Sequence, residues 1–187
     1  MKVLASLLNV VDNINEWIGK IVGFLIITLT AIIFFDVFLR YLFNSPIYWA
    51  MEINEYQLIT LVLLTGGYTY LHNGHVRVDI IHSKWSKKTR AKVDLFTSLL
   101  VFLVCFVLVR YGIVIAYNSF IHHYTASTVL ASPLWPTHFM IPLGALLLGL
   151  QCLSKWIRDF VFVFTGTKLE SQVFRGEGGI ITMDREE

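Results

Sequence analysis

The sequence predicts an all-α membrane protein with four transmembrane helices, both termini in the cytoplasm, and a short amphipathic cytoplasmic segment between the second and third helices. Three observations lead there. Of 187 residues, 56% are hydrophobic and 15% charged, whereas a soluble domain carries about 25% charged residues. Four apolar stretches are long enough to cross about 30 Å of hydrocarbon at about 1.5 Å per residue. The lysines and arginines gather in one connecting loop instead of spreading over all of them.

The first span, 18–39, is interrupted by Lys20 at its start and Asp36 near its end. Lys2 and Lys20 ahead of an apolar stretch mimic a secretory signal, but the stretch is too long, and an uncleaved span is expected. Asn44-Ser45-Pro46 then makes a turn, because proline fixes its own φ and disfavours helix in the residue before it. The second span, 49–71, opens with Trp49, Glu52, Asn54, Glu55 and Gln57 and becomes apolar from Leu58. Its Thr65-Gly66-Gly67 run suits close approach of a neighbouring helix.

Arg77, Lys84, Lys87, Lys88, Arg90 and Lys92 follow. Within this segment Val78, Ile81 and Trp85 share one helical face, so it can lie along an inner membrane surface, where each basic residue gains about 1 kcal/mol from anionic lipid. The third span, 93–117, is broken only by Arg110, and the loop after it, 118–133, contains no lysine or arginine. Pro133, Trp135 and Pro136 open the fourth span, 134–153, since a first helical turn tolerates proline, and Lys155 and Arg158 mark its far end. Residues 1–164 thus read as one transmembrane domain and 165–187 as a polar cytoplasmic tail expected to be mobile.

Orientation follows from the basic residues. Six lie between spans two and three, and the two loops on the other side hold only Arg40, which places the six, and both termini, in the cytoplasm.

Charges inside spans cost about 2.5–3.5 kcal/mol each at the bilayer centre on insertion scales, so each needs a reason. Asp36, Arg40, Glu52, Glu55 and Arg110 fall in one outer layer when counted from the cytoplasmic ends, with His138 beside them. Asp36 and Arg40 are one helical turn apart. Arg110 is expected to pair with Glu52 or Glu55 across helices two and three; the alternative is that each charge snorkels to the interface separately. The inner half of the spans has no acid between its ends, so an ion path through this chain alone is not expected. His72 and His75 sit at one membrane edge and His122, His123 and His138 near the other, which does not favour a bis-histidine haem site. Cys105 and Cys152 lie inside apolar runs at different depths and read as packing residues, not as a disulfide or metal pair. Phosphate loops, nucleophile elbows and zinc spacings are missing, so no enzyme, metal site or cofactor is expected, and the charge pattern does not suggest nucleic acid.

Arg40-Tyr41-Leu42-Phe43-Asn44, then Trp49 and Glu52-Ile53, then Gly74-His75-Val76-Arg77-Val78-Asp79, resemble the small membrane subunit of tripartite ATP-independent periplasmic (TRAP) transporters, the DctQ-like family. Ser127-Thr128, Pro133-Leu134-Trp135 and Pro142-Leu143-Gly144 are similar to that family's last loop and fourth helix, so the resemblance covers about residues 15–160. It implies a multi-pass subunit of the bacterial inner membrane that braces the static scaffold of a large, roughly twelve-span elevator-type permease. Sodium ions would bind in that large subunit, and a periplasmic binding protein would deliver an organic acid such as a dicarboxylate, keto acid or sialic acid. Asp36, Arg40, Trp49, Glu52, Glu55 and Arg110 become candidates for subunit contact or an intramembrane polar network. Gly74, His75, Arg77 and Asp79 become a cytoplasmic-edge turn that either holds the large subunit or caps helix two. The glycine-containing tail and the extra acid Glu55 depart from the family pattern. Two competing classes are an autonomous homodimeric carrier, which would need an acid near the midplane, and a haem or quinone anchor, which would need histidines matched in depth.

Overall fold

The computed structural model describes residues 2–72, 87–128, 130–165, 172–175 and 179–182. Four long helices dominate it: α1 (Lys2–Phe43), α2 (Ala50–Leu71), α3 (Lys87–Ile121) and α4 (Trp135–Thr165). The basic segment and the edge turn holding Gly74, His75, Arg77 and Asp79 lie outside the described residues. Among the described residues three helical runs are long and apolar enough to cross a membrane: Ala5–Phe43, Leu95–Ile121 and Trp135–Phe164. α2 falls short of that apolarity because Glu52, Asn54, Glu55 and Gln57 crowd its first two turns.

The helices form a row. α3 packs on α4, α4 on α2 and α2 on α1, with a smaller contact between α1 and α4. α2 is therefore flanked on both sides, and of its opening polar residues Glu52 is buried while Glu55 stays exposed. α4 is far more enclosed than the outer helices α1 and α3.

The α3–α4 seam follows from side-chain size at a seven-residue interval. Ser98, Cys105, Gly112 and Ser119 are all buried, one per heptad, and small residues at that spacing let two helices approach closely. Opposite them, Cys152 Sγ lies 3.8 Å from the Ser98 carbonyl oxygen, and a Cβ on Gly149 would stand 3.5 Å from that of Cys105. Gly112 faces the ring of Pro142, the proline inside α4, and a Cβ there would come within 2.9 Å of Pro142 Cδ. Ser119 Oγ and His138 Nδ1 close the seam at 2.6 Å. Both cysteines are buried and free, as packing residues.

On α1 the buried positions Leu8, Asp12, Asn15, Gly19 and Val22 alternate steps of four and three, the stripe of a helix packed along its first half. Gly19 receives the ring of Tyr68, and Gly67 lies against the Asn15 side-chain oxygen. Of the two adjacent glycines in α2, Gly67 makes the close approach; Gly66 has only Leu148 Cβ at 3.9 Å from a Cβ built on it.

α1 stops where Asn44 adopts φ 50°, a left-handed conformation that asparagine tolerates better than most residues. The link after α3 folds back on itself, with Ala126 N–H donating to the Ser132 carbonyl at 2.9 Å and Leu134 N–H to that of Tyr124 at 2.9 Å. In the tail, β1 (Gln172–Arg175) pairs antiparallel with β2 (Gly179–Thr182), an element the polar, glycine-spaced sequence did not signal.

Candidate functional site

The polar side chains fall into two layers, one at each end of the row. At the end where α1 begins and α4 finishes, Asp12 is fully buried, with Arg158 Nη1 2.8 Å from its Oδ2. Gln151 Nε2 donates to Asp12 Oδ1 at 2.8 Å, and Ser154 Oγ reaches the same oxygen at 3.3 Å. Asn15 Nδ2 donates to Gln151 Oε1 at 2.8 Å, and Arg158 Nη2 to Asn9 Oδ1 at 3.1 Å. One carboxylate thus gathers three side chains of α4, which compensates the desolvation of both charges. This is how α1 meets α4 across the flank of α2. On the α2 side, Glu16 accepts from His72 Nε2 at 2.7 Å and pairs with Lys20 Nζ at 3.2 Å.

Sequence reasoning missed this layer, because it placed the first span from residue 18 onward and treated Arg158 as an end marker. The signal was present in the spacing of Asp12, Asn15 and Gly19, which share the buried stripe with Leu8 and Val22.

At the opposite end two carboxylates pin two loops. Asp36 Oδ2 lies 2.7 Å from Arg40 Nη2, while its Oδ1 accepts the Ile47 N–H at 2.8 Å. The α1–α2 turn is thereby tied to the helix before it. Glu52, 3% exposed, accepts the Thr128 hydroxyl at 2.6 Å and the Ser132 N–H at 3.2 Å. One turn further on, Tyr56 O–H donates to the Pro133 carbonyl at 2.6 Å, so α2 holds the α3–α4 link at two points. Trp49 immediately precedes α2, half exposed, without a side-chain cap hydrogen bond.

The expected pairing of Arg110 with Glu52 or Glu55 is not what the structure shows. Glu52 is engaged by the loop, and Glu55 is exposed without a partner among the described residues. α2 and α3 are separated by α4. Depth differs as well. Gly112 is level with Pro142, and Gly144 abuts the Leu63 carbonyl oxygen, which puts Arg110 about two turns deeper than Glu55. The reason is that the apolar run of α3 extends to Ile121, past the end assigned from sequence at 117. Arg110 is exposed and, among the described residues, has no partner.

Among the described residues no group of three or more His, Cys, Asp or Glu side chains is arranged to hold a metal ion. What the two layers do is mechanical: they fix helix against helix and loop against helix.

Comparison with known proteins gives this architecture a family. The model described as "Tripartite ATP-independent periplasmic transporters, DctQ component" matches residues 29–162, well over half of the chain. A putative TRAP transporter small permease protein of Haemophilus influenzae (strain ATCC 51907 / DSM 11121 / KW20 / Rd) is 25% identical over 158 residues, covering 82% of this chain and 96% of that protein. The sialic acid TRAP transporter permease protein SiaT of Haemophilus influenzae (strain 86-028NP) is 26% identical over 103 residues, covering 55% of this chain but only 16% of that longer protein. With polar layers that tie four helices into a row, and with a match running from the middle of α1 to near the end of α4, the chain belongs to the DctQ family of TRAP transporter small permeases.

Proposed function

We propose that this chain braces the static scaffold of a large elevator-type permease subunit, for sodium-driven uptake of an organic acid that a periplasmic binding protein delivers. The observation that supports this best is where the intramembrane polar groups go. Asp12, Asn15, Asp36, Glu52, Gln151 and Arg158 all tie this chain's own helices and loops together, while the outer helices present apolar flanks. A stiff plate with sticky edges suits bracing. The likeness to a segment of the longer SiaT permease supports association with a large transport subunit, and the name of that relative favours an acidic sugar or another carboxylate as substrate.

In this reading all four helices cross the bacterial inner membrane, with both termini in the cytoplasm and the 122–134 link on the periplasmic side, where it can meet the binding protein. Sodium and substrate sites belong to the large subunit, and this chain holds no cofactor. The test is reconstitution. Proteoliposomes with a sodium gradient and binding protein should accumulate labelled acid only when both membrane subunits are present. Full uptake by the large subunit alone would sink the bracing role, and uptake by this chain alone would favour an autonomous carrier.

A further inference from the structure

We propose that Arg110 is the polar anchor of a docking face on α3, where its guanidinium receives a carboxylate from a transmembrane helix of the large permease subunit. The proposal rests on the small-permease reading above.

Arg110 is the sole charged residue within Leu95–Ile121. At about 100° per residue it lies about 120–180° around α3 from the Ser98, Cys105, Gly112 and Ser119 seam, so it points away from α4. On the same outward face stand Leu99, Leu103, Phe106, Ile113 and Tyr117, each more than half exposed. α3 is the edge of the row, with α4 as its main neighbour. An apolar face of this length, with one guanidinium inside it that has no partner among the described residues, calls for an anionic occupant that is otherwise apolar.

Depth and direction favour a helix carboxylate over a lipid phosphate. Arg110 is 11 residues from Ile121 and 15 from Leu95, about 16 and 22 Å along the axis. Helical side chains set off toward the N-terminus of their helix, so the stem of Arg110 leaves toward the farther end. Snorkelling to the nearer headgroups would run against that direction, and the farther ones are beyond an arginine stem. A carboxylate on a facing helix meets the guanidinium at its own depth, with two parallel hydrogen bonds available. In a membrane interior such a pair is formed by neighbouring helices because each charge alone is costly there.

The test uses the complete transporter, with this chain and its large subunit co-expressed and purified through a tag on this chain. Arg110→Met and Arg110→Glu should each lower recovery of the large subunit by about tenfold or more, and Arg110→Lys by less, since it keeps the charge but not the bidentate fork. A photo-crosslinking residue in place of Phe106, in an otherwise native chain, should join the large subunit. Wild-type recovery with Arg110→Met overturns the proposal, as does a Phe106 adduct with lipid only. Unchanged recovery together with loss of bound phospholipid in native mass spectrometry overturns it in favour of a headgroup. If the unmodified chain fails to retain the large subunit, the small-permease reading falls as well.

Discussion

Two carboxylates show how a buried charge can be made structural in this protein. Asp12 is surrounded by Arg158, Gln151 and Ser154. Removing it leaves a nearly buried guanidinium uncompensated, and breaking such a pair costs about 3–5 kcal/mol. Asp12→Ala should therefore lower the melting temperature in detergent sharply, and the double change Asp12→Ala with Arg158→Met should cost less than the sum of the singles. Glu52 holds Thr128 and Ser132, and losing hydrogen bonds to a charged acceptor costs about 1.5–3 kcal/mol. For Glu52→Ala, hydrogen exchange should speed up at Ala126 and Ser132 while the helical core is unchanged. Because Arg110 lies on another helix and at another depth, Glu52→Ala and Arg110→Ala should be additive within about 0.3–0.5 kcal/mol in the isolated chain. A coupling well beyond that would restore the pairing expected from the sequence.

Among the helices, small residues decide how closely neighbours sit. A Cβ on Gly144 would strike the Leu63 backbone carbonyl in α2, which cannot rotate away as a side chain could. Gly23 has nothing within 4 Å of such an atom. Gly144→Ala should thus destabilise the chain by about 1–3 kcal/mol through overpacking, whereas Gly23→Ala should be neutral or slightly stabilising through helix propensity. Thermal melts of the two variants in the same detergent distinguish contact from composition, and equal melting would refute the close α2–α4 packing. The heptad of Ser98, Cys105, Gly112 and Ser119 was readable in the sequence as spacing. Its partner was not, because an apolar helix offers many small residues and the sequence does not say which face meets protein and which meets lipid.

For the whole molecule, the proposed topology gives a labelling prediction. Both native cysteines are buried and should react little with an impermeant maleimide. Ser127→Cys, in the exposed α3–α4 link, should label in intact spheroplasts, and Ser6→Cys, exposed near the start of α1, only after the membrane is opened. The reverse pattern would invert the orientation drawn from the basic residues.

The sequence by itself determined that the chain is dominated by helices and membrane-bound, that its first helix ends at Asn44-Ser45-Pro46, and which family it resembles. Apolarity, helix length and charge distribution are local or additive properties that a chain carries before it folds. Tertiary structure alone decided that the helices lie in a row with α2 and α4 inside, that Asp12 belongs to Arg158, and that Glu52 belongs to a loop. Those pairings depend on which helices become neighbours and at what depth, and both are set by close packing of small residues summed over whole seams. Arg110 marks the boundary between the two kinds of knowledge: its cost was visible in the sequence, but only the packing of α3 on α4 shows that its face points outward.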